Sequence, residues 1–141
     1  RHYRYQIINR RAPLTIERDF WWRVGPPLDV AAMNRAAKHL LGKHDFTTFR
    51  DSHCQAKSPI KTLDQADVES HMGNVRCHFY AQSFLHRQVR SMVGTLVEVG
   101  LGKMSVDEFA AVLAAADRTH CGPVAPAHGL HLVRVSYDPA K

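Results

Sequence analysis

The sequence of 141 residues predicts a mixed α+β domain in which helices pack on one face of a largely antiparallel sheet. Two observations indicate this fold. Alternating polar and apolar residues recur near both ends and in the middle of the chain, as in half-buried β-strands. Apolar residues at helical spacing occupy residues 85–100 and again 105–116. No apolar run approaches the roughly 20 residues that a membrane-spanning helix needs, so we expect no membrane partner.

The elements are predicted in the order β-β-α-β-β-α-α-β, within a single domain that spans residues 1–141. The expected bounds are strands 1–9 and 19–24, a helix 30–41, an ordered loop 44–59, strands 60–70 and 74–83, a helix that follows residue 86 and ends at 100–102, a helix 105–116, a loop 117–129 and a strand 130–138.

Local signals justify these bounds. Tyr3, Tyr5 and Ile7 alternate with polar residues and share one face of the first strand. Asp29 is the expected N-cap of the first helix, which Gly42 should end. Ser105 and Glu108 are spaced as a capping box for the last helix. The inner faces predicted for the first and last helices are Val30, Met33, Ala37, Leu40 and Leu41, and Phe109, Val112, Leu113 and Ala116, respectively.

The helix after residue 86 has a one-sided apolar stripe centred on Val89. At about 100° per residue the other members of the stripe are Leu85, Met92, Val93, Leu96 and Gly100. Arg90 falls at the edge of this stripe, where its guanidinium needs a carboxylate or phosphate partner. Glu98 points nearly opposite to Val89, so we expect the partner of Arg90 to come from outside this helix.

The charge balance favours a polyanionic partner. Nineteen Lys and Arg residues oppose thirteen Asp and Glu, which gives a net charge of +6 and a pI near 9.6. Nucleic acid is the usual partner of such a protein, although a merely basic protein fits the charge equally well. The sequence begins at Arg1 within a strand-like run, so we expect it to be part of a longer chain. It has no signal-peptide pattern, and the cytoplasm is the expected compartment.

Common metal and nucleotide motifs are absent from the sequence. Cys54, Cys77 and Cys121 each adjoin a histidine, but no Cys-x-x-Cys or His-x₃-His spacing accompanies them. We therefore expect reduced, structural cysteines and no metal. There is also no Gly-rich phosphate loop, His-Glu-x-x-His or Gly-x-Ser-x-Gly sequence.

Several residues have both a functional and a structural interpretation. The rings of Tyr3 and Tyr5 suit stacking on a base, or ordinary strand packing. Arg90 suits pairing with a catalytic carboxylate, or a structural ion pair. His44 and Asp45 suit a general-base pair, or the ordering of a loop. The segment 122–130 could present its backbone and Leu130 to a ligand, or simply connect two elements.

Five motifs, in this order and spacing, resemble the C-terminal half of the bacterial tRNA pseudouridine synthases of the TruA family. They cover nearly the whole chain and are R-H-Y-R-Y at 1–5, A-A-x-H-L-L-G-K-H-D-F-T-T-F-R across 36–50, C-Q-A-K-S-P-I-K-T at 54–62, S-F-L-H-R-Q-V-R-S-M-V-G-T-L-V-E-V-G at 83–100, and G-P-V-A-P-A-H-G-L-H-L-V-R-V-S-Y at 122–137.

The resemblance implies isomerisation of uridine to pseudouridine on the 3′ side of the tRNA anticodon stem-loop. In that family an aspartate acts on the ribose of a flipped-out uridine, and the detached uracil turns and rejoins the sugar through carbon. The resemblance further implies tRNA as the partner, a homodimeric full-length protein, and no metal or other cofactor.

The same resemblance assigns roles to individual residues. Tyr3 matches the tyrosine that stacks on the target base, Arg90 the residue that pairs with the catalytic aspartate, and Leu130 the apolar residue that packs against the base. Weaker candidates for contacts with backbone phosphates are Arg4, Lys57, Lys61 and Arg87.

One departure from the family pattern limits the prediction. The catalytic aspartate belongs to a Gly-Arg-Thr-Asp-Ala-Gly motif of the N-terminal half, and Asp117-Arg118-Thr119 has those letters in the wrong order. We therefore expect the chain alone to be inactive. Two alternatives remain, a non-catalytic RNA-binding module on the same fold and a dimerisation or scaffold domain that uses the apolar helices and Trp21-Trp22.

Overall fold

A computed structural model describes residues 1–10, 20–51 and 58–134 of the chain. Within them the elements follow the order β-β-α-β-β-β-α-α-β. They are β1 (His2–Asn9), β2 (Trp22–Val24), α1 (Val30–Lys38), β3 (Gly42–Asp45), β4 (Ile60–His71), β5 (Asn74–Ala81), α2 (Gln88–Gly100), α3 (Val106–Ala115) and β6 (Leu130–Arg134).

The strands form one mixed sheet, which in the described residues has six strands ordered β2-β1-β5-β4-β3, with β6 also paired to β1. Only the β1–β2 pair is parallel among these pairings. The edge of β1 that faces away from β5 is shared, because Tyr5 pairs with Leu130 of β6 whereas Ile7 pairs with Trp22 of β2. The predicted fold class, α+β with a largely antiparallel sheet, is confirmed.

The three helices bury their apolar faces in one core with one face of the sheet. Tyr5, Phe79, Met92 and Phe109 are among its fully buried members, and they come from β1, β5, α2 and α3. At about 25 cal/mol per Å² of apolar surface, the burial of each such side chain contributes roughly 1.5–3 kcal/mol. This core fixes the helices against the sheet and leaves the ends of the strands to form sites.

Helix α2 is buried more completely than its stripe predicts. All five predicted partners of Val89 are buried, but so is every other residue of the helix except Arg90 and Glu98. The expectation of a sharply one-sided helix is therefore wrong. The reason is that the connector 122–125 covers the side of α2 that the pattern assigns to solvent, as the contacts of Gly94 with Pro123 and Ala125 show.

The predicted loop 44–59 is partly wrong, because Gly42–Asp45 forms the short strand β3 against the start of β4. Helix α1 accordingly ends at Lys38 instead of continuing to residue 41. Leu41, predicted to lie on the buried side of the helix, is 38% exposed. Gly42 does adopt a left-handed conformation, with φ of +89°, but it begins β3 and does not cap α1.

Other predicted bounds need smaller corrections. The second strand begins at Trp22, and β5 ends at Ala81 instead of continuing to residue 83. Ala116 is the left-handed C-cap of α3, with φ of +48°, and not a member of its inner face. The final strand is described as far as Arg134, so its predicted continuation to 138 lies outside the described residues.

Both predicted helix N-caps are present. The Asp29 carboxylate accepts a hydrogen bond from the backbone N–H of Ala32 at 3.0 Å. The Ser105 hydroxyl and the Glu108 carboxylate accept from each other's backbone N–H groups, which completes the capping box. Among the helices that the structure describes, none is long and apolar enough to cross a bilayer.

Candidate functional site

A pocket of about 490 Å³ opens beside the start of β1 and Leu130, the first residue of the antiparallel strand β6. Its lining combines the first residues of β1 and β6, the β5–α2 connection and the first turn of α2. The lining residues are Arg1, Tyr3, Phe84, Leu85, His86, Arg87, Gln88, Val89, Arg90, Ala127 and Leu130. The pocket therefore brings together Tyr3, Arg90 and Leu130, which the sequence places far apart.

Tyr3 supplies a flat, partly exposed wall of this pocket. Its ring meets the ring of Phe84 edge to face, with centroids 5.3 Å apart. This contact orients the Tyr3 ring, and Tyr3 lines the open pocket. A ring held in this way suits stacking on another planar group.

Tyr5 lies on the same face of β1 but belongs to the core. It is fully buried, and its hydroxyl donates a hydrogen bond to the carbonyl of Pro126 at 2.5 Å. Burial raises the pKa of the Tyr5 hydroxyl well above its usual value, and the positive charge of Arg90 opposes that rise. Of the two tyrosines, the packing interpretation is therefore right for Tyr5.

Arg90 is held in place by the backbone of the connector. Its Nε donates to the carbonyl of Ala125 at 2.8 Å, and the Arg90 carbonyl accepts from the Ala125 N–H at 3.0 Å. Ala125 itself is fully buried. In the part of the chain that the structure describes, no carboxylate lies within 4.0 Å of Arg90. The expected ionic partner of this guanidinium is thus absent from the described residues.

The connector 122–130 is tightly packed as well as part of the pocket. A Cβ on Gly94 would lie 1.6 Å from the carbonyl oxygen of Pro123, so only glycine permits α2 to approach the connector this closely. A Cβ on Gly129 would lie 2.6 Å from the ring of Tyr5. These close approaches fix the path of the chain that brings Ala127 and Leu130 to the pocket.

Basic groups stand at the rim of the pocket. Arg1, Arg87 and Arg90 line it together with His86, and none of the described residues that line it is acidic. Arg87 has a φ of +60° and is the N-cap of α2, with its Nε 3.1 Å from the carboxylate of Asp51. Sequence reasoning missed Asp51, because no short spacing connects it with Arg87.

The arrangement suits a nucleotide of an RNA strand. Flat and aliphatic surfaces from Tyr3 and Leu130 can enclose a base, and arginines at the rim can bind phosphate oxygens. The volume lies within the usual range of about 300–1,000 Å³ for small-molecule sites.

The weaker phosphate candidates are dispersed. Lys61 lies in a second pocket of about 360 Å³, also lined by Lys43 and Asp64, and its Nζ donates to the Ser83 hydroxyl at 3.0 Å. Arg4 lies opposite His78 in the β1–β5 pairing and outside the residues that line the first pocket. Lys57 lies outside the described residues.

His44 and Asp45 are the last two residues of β3, and their side chains form local hydrogen bonds, which favours their structural interpretation. Asp45 accepts hydrogen bonds from the backbone N–H of Thr47 at 2.9 Å and from its hydroxyl at 2.6 Å. The His44 Nε2 lies 2.6 Å from the Leu41 carbonyl oxygen. Both groups are thereby engaged with neighbouring residues of the β3 segment.

The two cysteines that the structure describes are free thiols. Cys77 is fully buried, and burial raises the pKa of its thiol to about 12. The sulfur of Cys121 lies 3.6 Å from the hydroxyl of Thr95 on α2. Within residues 1–10, 20–51 and 58–134, no three His, Cys, Asp or Glu side chains converge as a metal site requires.

Comparison with known proteins identifies the family of the chain. A protein-family model described as tRNA pseudouridine synthase matches residues 36–138. The tRNA pseudouridine synthase A of Maricaulis maris is 59% identical over 137 residues, which are 97% of this chain and 55% of that protein. The proteins of the same name from Xanthobacter autotrophicus and Caulobacter vibrioides are each 58% identical over 97% of the chain and 56% of their own length.

The chain thus spans little more than half the length of these curated relatives. The family match covers most of the chain and includes both Arg90 and Leu130 of the pocket. On these grounds, the chain belongs to the tRNA pseudouridine synthase family.

Proposed function

We propose that this chain forms the C-terminal half of an enzyme that isomerises uridine to pseudouridine in the anticodon stem-loop of tRNA. The observation that carries the proposal is the meeting of Tyr3, Arg90 and Leu130 in one pocket with arginines at its rim. The coverage of relatives supports the proposal that the chain is one half of the enzyme, since 97% of the chain matches only 55% of a relative.

In this proposal the pocket receives a uridine flipped out of the RNA. The ring of Tyr3 stacks on the uracil, and Leu130 packs against the same base. Both surfaces are apolar and partly exposed, so the entry of a base removes them from water. The base can detach, turn and rejoin the ribose only if the pocket excludes competing water during that time.

Arg90 is proposed to pair with the catalytic aspartate, which the N-terminal half would supply. Its Nε is fixed by the Ala125 carbonyl, which leaves the amino groups of the guanidinium for a carboxylate. A cation paired with the aspartate would favour its ionised form and orient it towards the ribose. None of the described lining residues is acidic, which is consistent with a carboxylate that arrives from elsewhere.

Backbone phosphates are proposed to contact Arg4, Lys57, Lys61 and Arg87. The pocket that contains Lys61 involves Gln82 and Ser83, and the pocket that contains Tyr3 begins at Phe84. The two pockets therefore adjoin along the β5–α2 connection, and one RNA strand would contact both. We further propose that the full-length enzyme is a homodimer and works in the cytoplasm.

The proposal is tested by tritium release from tRNA whose uridines carry the label on the carbon that forms the new glycosidic bond. The full-length gene product should release tritium from a tRNA with uridines in its anticodon stem, and not from one with cytidines there. The isolated chain of 141 residues should bind tRNA but release no tritium. A full-length protein that releases no tritium from any tRNA would contradict the proposal.

A non-catalytic RNA-binding module is the second candidate, and it is favoured by the lack of a carboxylate among the lining residues that the structure describes. The same experiment separates the two functions. A full-length protein with salt-dependent tRNA binding but no tritium release would indicate the binding module.

A further inference from the structure

Asp51 is a buried carboxylate directly beneath the rim of the pocket. Its side chain is only 8% exposed, and its Oδ2 lies 3.1 Å from Arg87 Nε and 3.6 Å from His86 Nε2. The backbone N–H of Asp51 also donates to the His86 carbonyl at 3.2 Å. Asp51 therefore binds both the backbone and the side chains of the turn that precedes α2.

This turn has an unfavourable backbone conformation. The φ of Arg87 is +60°, in the left-handed region that residues with a side chain rarely adopt. Such conformations persist where surrounding contacts impose them, and they concentrate at functional sites. Here the contacts from Asp51 help to hold Arg87 in this left-handed conformation. In this conformation Arg87 lines the pocket.

The pair leaves part of the Arg87 guanidinium available. The Arg87 Nε pairs with the Asp51 carboxylate, while the Arg87 side chain as a whole is 49% exposed and lines the pocket. The two terminal amino groups can then bind the oxygens of a phosphate. Asp51 itself is not among the lining residues, so it would not contact an RNA strand there.

We propose that Asp51 is a positioning residue, which holds Arg87 so that its guanidinium binds a backbone phosphate beside the uridine in the pocket. The inference rests on the proposed function, because it takes RNA as the ligand. It adds the residue that orients the phosphate contact. Asp51 acts only through Arg87 and takes no part in the reaction at the base.

The sign of the effect distinguishes this role from general electrostatics. Removal of one carboxylate from a basic surface should otherwise strengthen the binding of a polyanion. The proposal requires Asp51→Asn to weaken the binding of tRNA, because Arg87 loses its orientation when the carboxylate is removed. Asp107→Asn is the matched control, because Asp107 is exposed on α3 and does not line the pocket.

The experiment is a double-mutant cycle in the full-length gene product, with Asp51→Asn, Arg87→Gln and the double variant. Each single variant should raise the KM for tRNA about tenfold with kcat nearly unchanged, as for a contact made equally before and during the reaction. The double variant should bind tRNA no more weakly than Arg87→Gln alone, because Asp51 acts only through Arg87. Loss of one phosphate contact should also lower the salt slope of tRNA binding by about 0.7–0.9.

Wild-type tRNA affinity in Asp51→Asn, or additive losses in the double variant, would overturn the inference. If Asp51→Asn fails to fold, Asp51→Glu carries the same comparison, with an expected KM between those of the wild type and Arg87→Gln. A wild-type protein that binds tRNA without turnover would refute the proposed enzyme, yet the binding cycle would still test Asp51. A wild type that does not bind tRNA would overturn both proposals.

Discussion

Tyr3 and Tyr5 differ in environment although they share one face of β1. Alternation along the strand predicts the shared face, and the structure agrees. It cannot predict which ring is covered, because the cover over Tyr5 comes from Pro126 and Gly129, far away in the sequence. Tyr3 lies beyond this cover and lines the pocket. The choice between stacking and packing therefore depended on the tertiary structure.

The ring of Tyr3 should contribute to substrate binding by stacking. We expect Tyr3→Ala to lower kcat/KM for tRNA about 5- to 150-fold, which corresponds to about 1–3 kcal/mol of lost stacking, whereas Tyr3→Phe should retain most of the activity. Tyr80→Ala is the matched control, because Tyr80 is a half-buried tyrosine of β5 that does not line the pocket. Equal losses in Tyr3→Ala and Tyr80→Ala would contradict the stacking role.

Cys77 should make the fold sensitive to alkali. Its thiol pKa is raised from 9.0 to about 12 in the fold, so between these pH values the unfolded chain loses a proton that the folded chain keeps. Stability from this group is complete below pH 9 and declines as the pH rises towards 12, at about 1.4 kcal/mol per pH unit. Urea unfolding between pH 8 and 11 should therefore give a flatter profile for Cys77→Val than for the wild type. Parallel profiles would show that the thiol is not protected in this way.

At the scale of elements, strongly periodic segments were predictable and a short polar strand was not. The stripe around Val89 identified the core face of α2 correctly. Strand β3, Gly-Lys-His-Asp, has four residues, none of them apolar, so neither period can be detected in it. The strand forms because β3 pairs with β4, and not because its own residues prefer a strand conformation.

The contact between α2 and the connector should tolerate no side chain at Gly94. A Cβ there would meet the Pro123 backbone at 1.6 Å, so Gly94→Ala must displace either the helix or the connector that fixes Arg90. We expect a loss of about 1–3 kcal/mol or more in the free energy of unfolding, with a fall in activity.

Ser91→Ala provides the control on the same helix. The Ser91 hydroxyl oxygen is buried without a hydrogen-bond partner among the described residues, so its removal should be neutral or slightly stabilising. Thermal unfolding of both variants measures the difference. A Gly94→Ala variant as stable as Ser91→Ala would show that the connector moves freely.

At the scale of the whole molecule, periodicity predicts the fold class but not the site. The pocket unites the starts of two strands with the first turn of α2, and no local pattern indicates that they meet. The family resemblance proposed Tyr3, Arg90 and Leu130, which all line this pocket. It did not identify the Asp51–Arg87 pair, since that contact depends on an unusual turn before α2.

The central claim is that this pocket is one wall of an active site that is completed by a carboxylate from another part of the enzyme. Tritium release by the full-length gene product carrying Arg90→Gln tests it most directly, with Arg35→Gln as control, because Arg35 is exposed on α1. Loss of the partly buried cation proposed to pair with the catalytic aspartate should cost roughly 2–5 kcal/mol, which lowers the rate by about 30-fold or more. Arg35→Gln should react at the wild-type rate. A wild-type rate in Arg90→Gln would contradict the account.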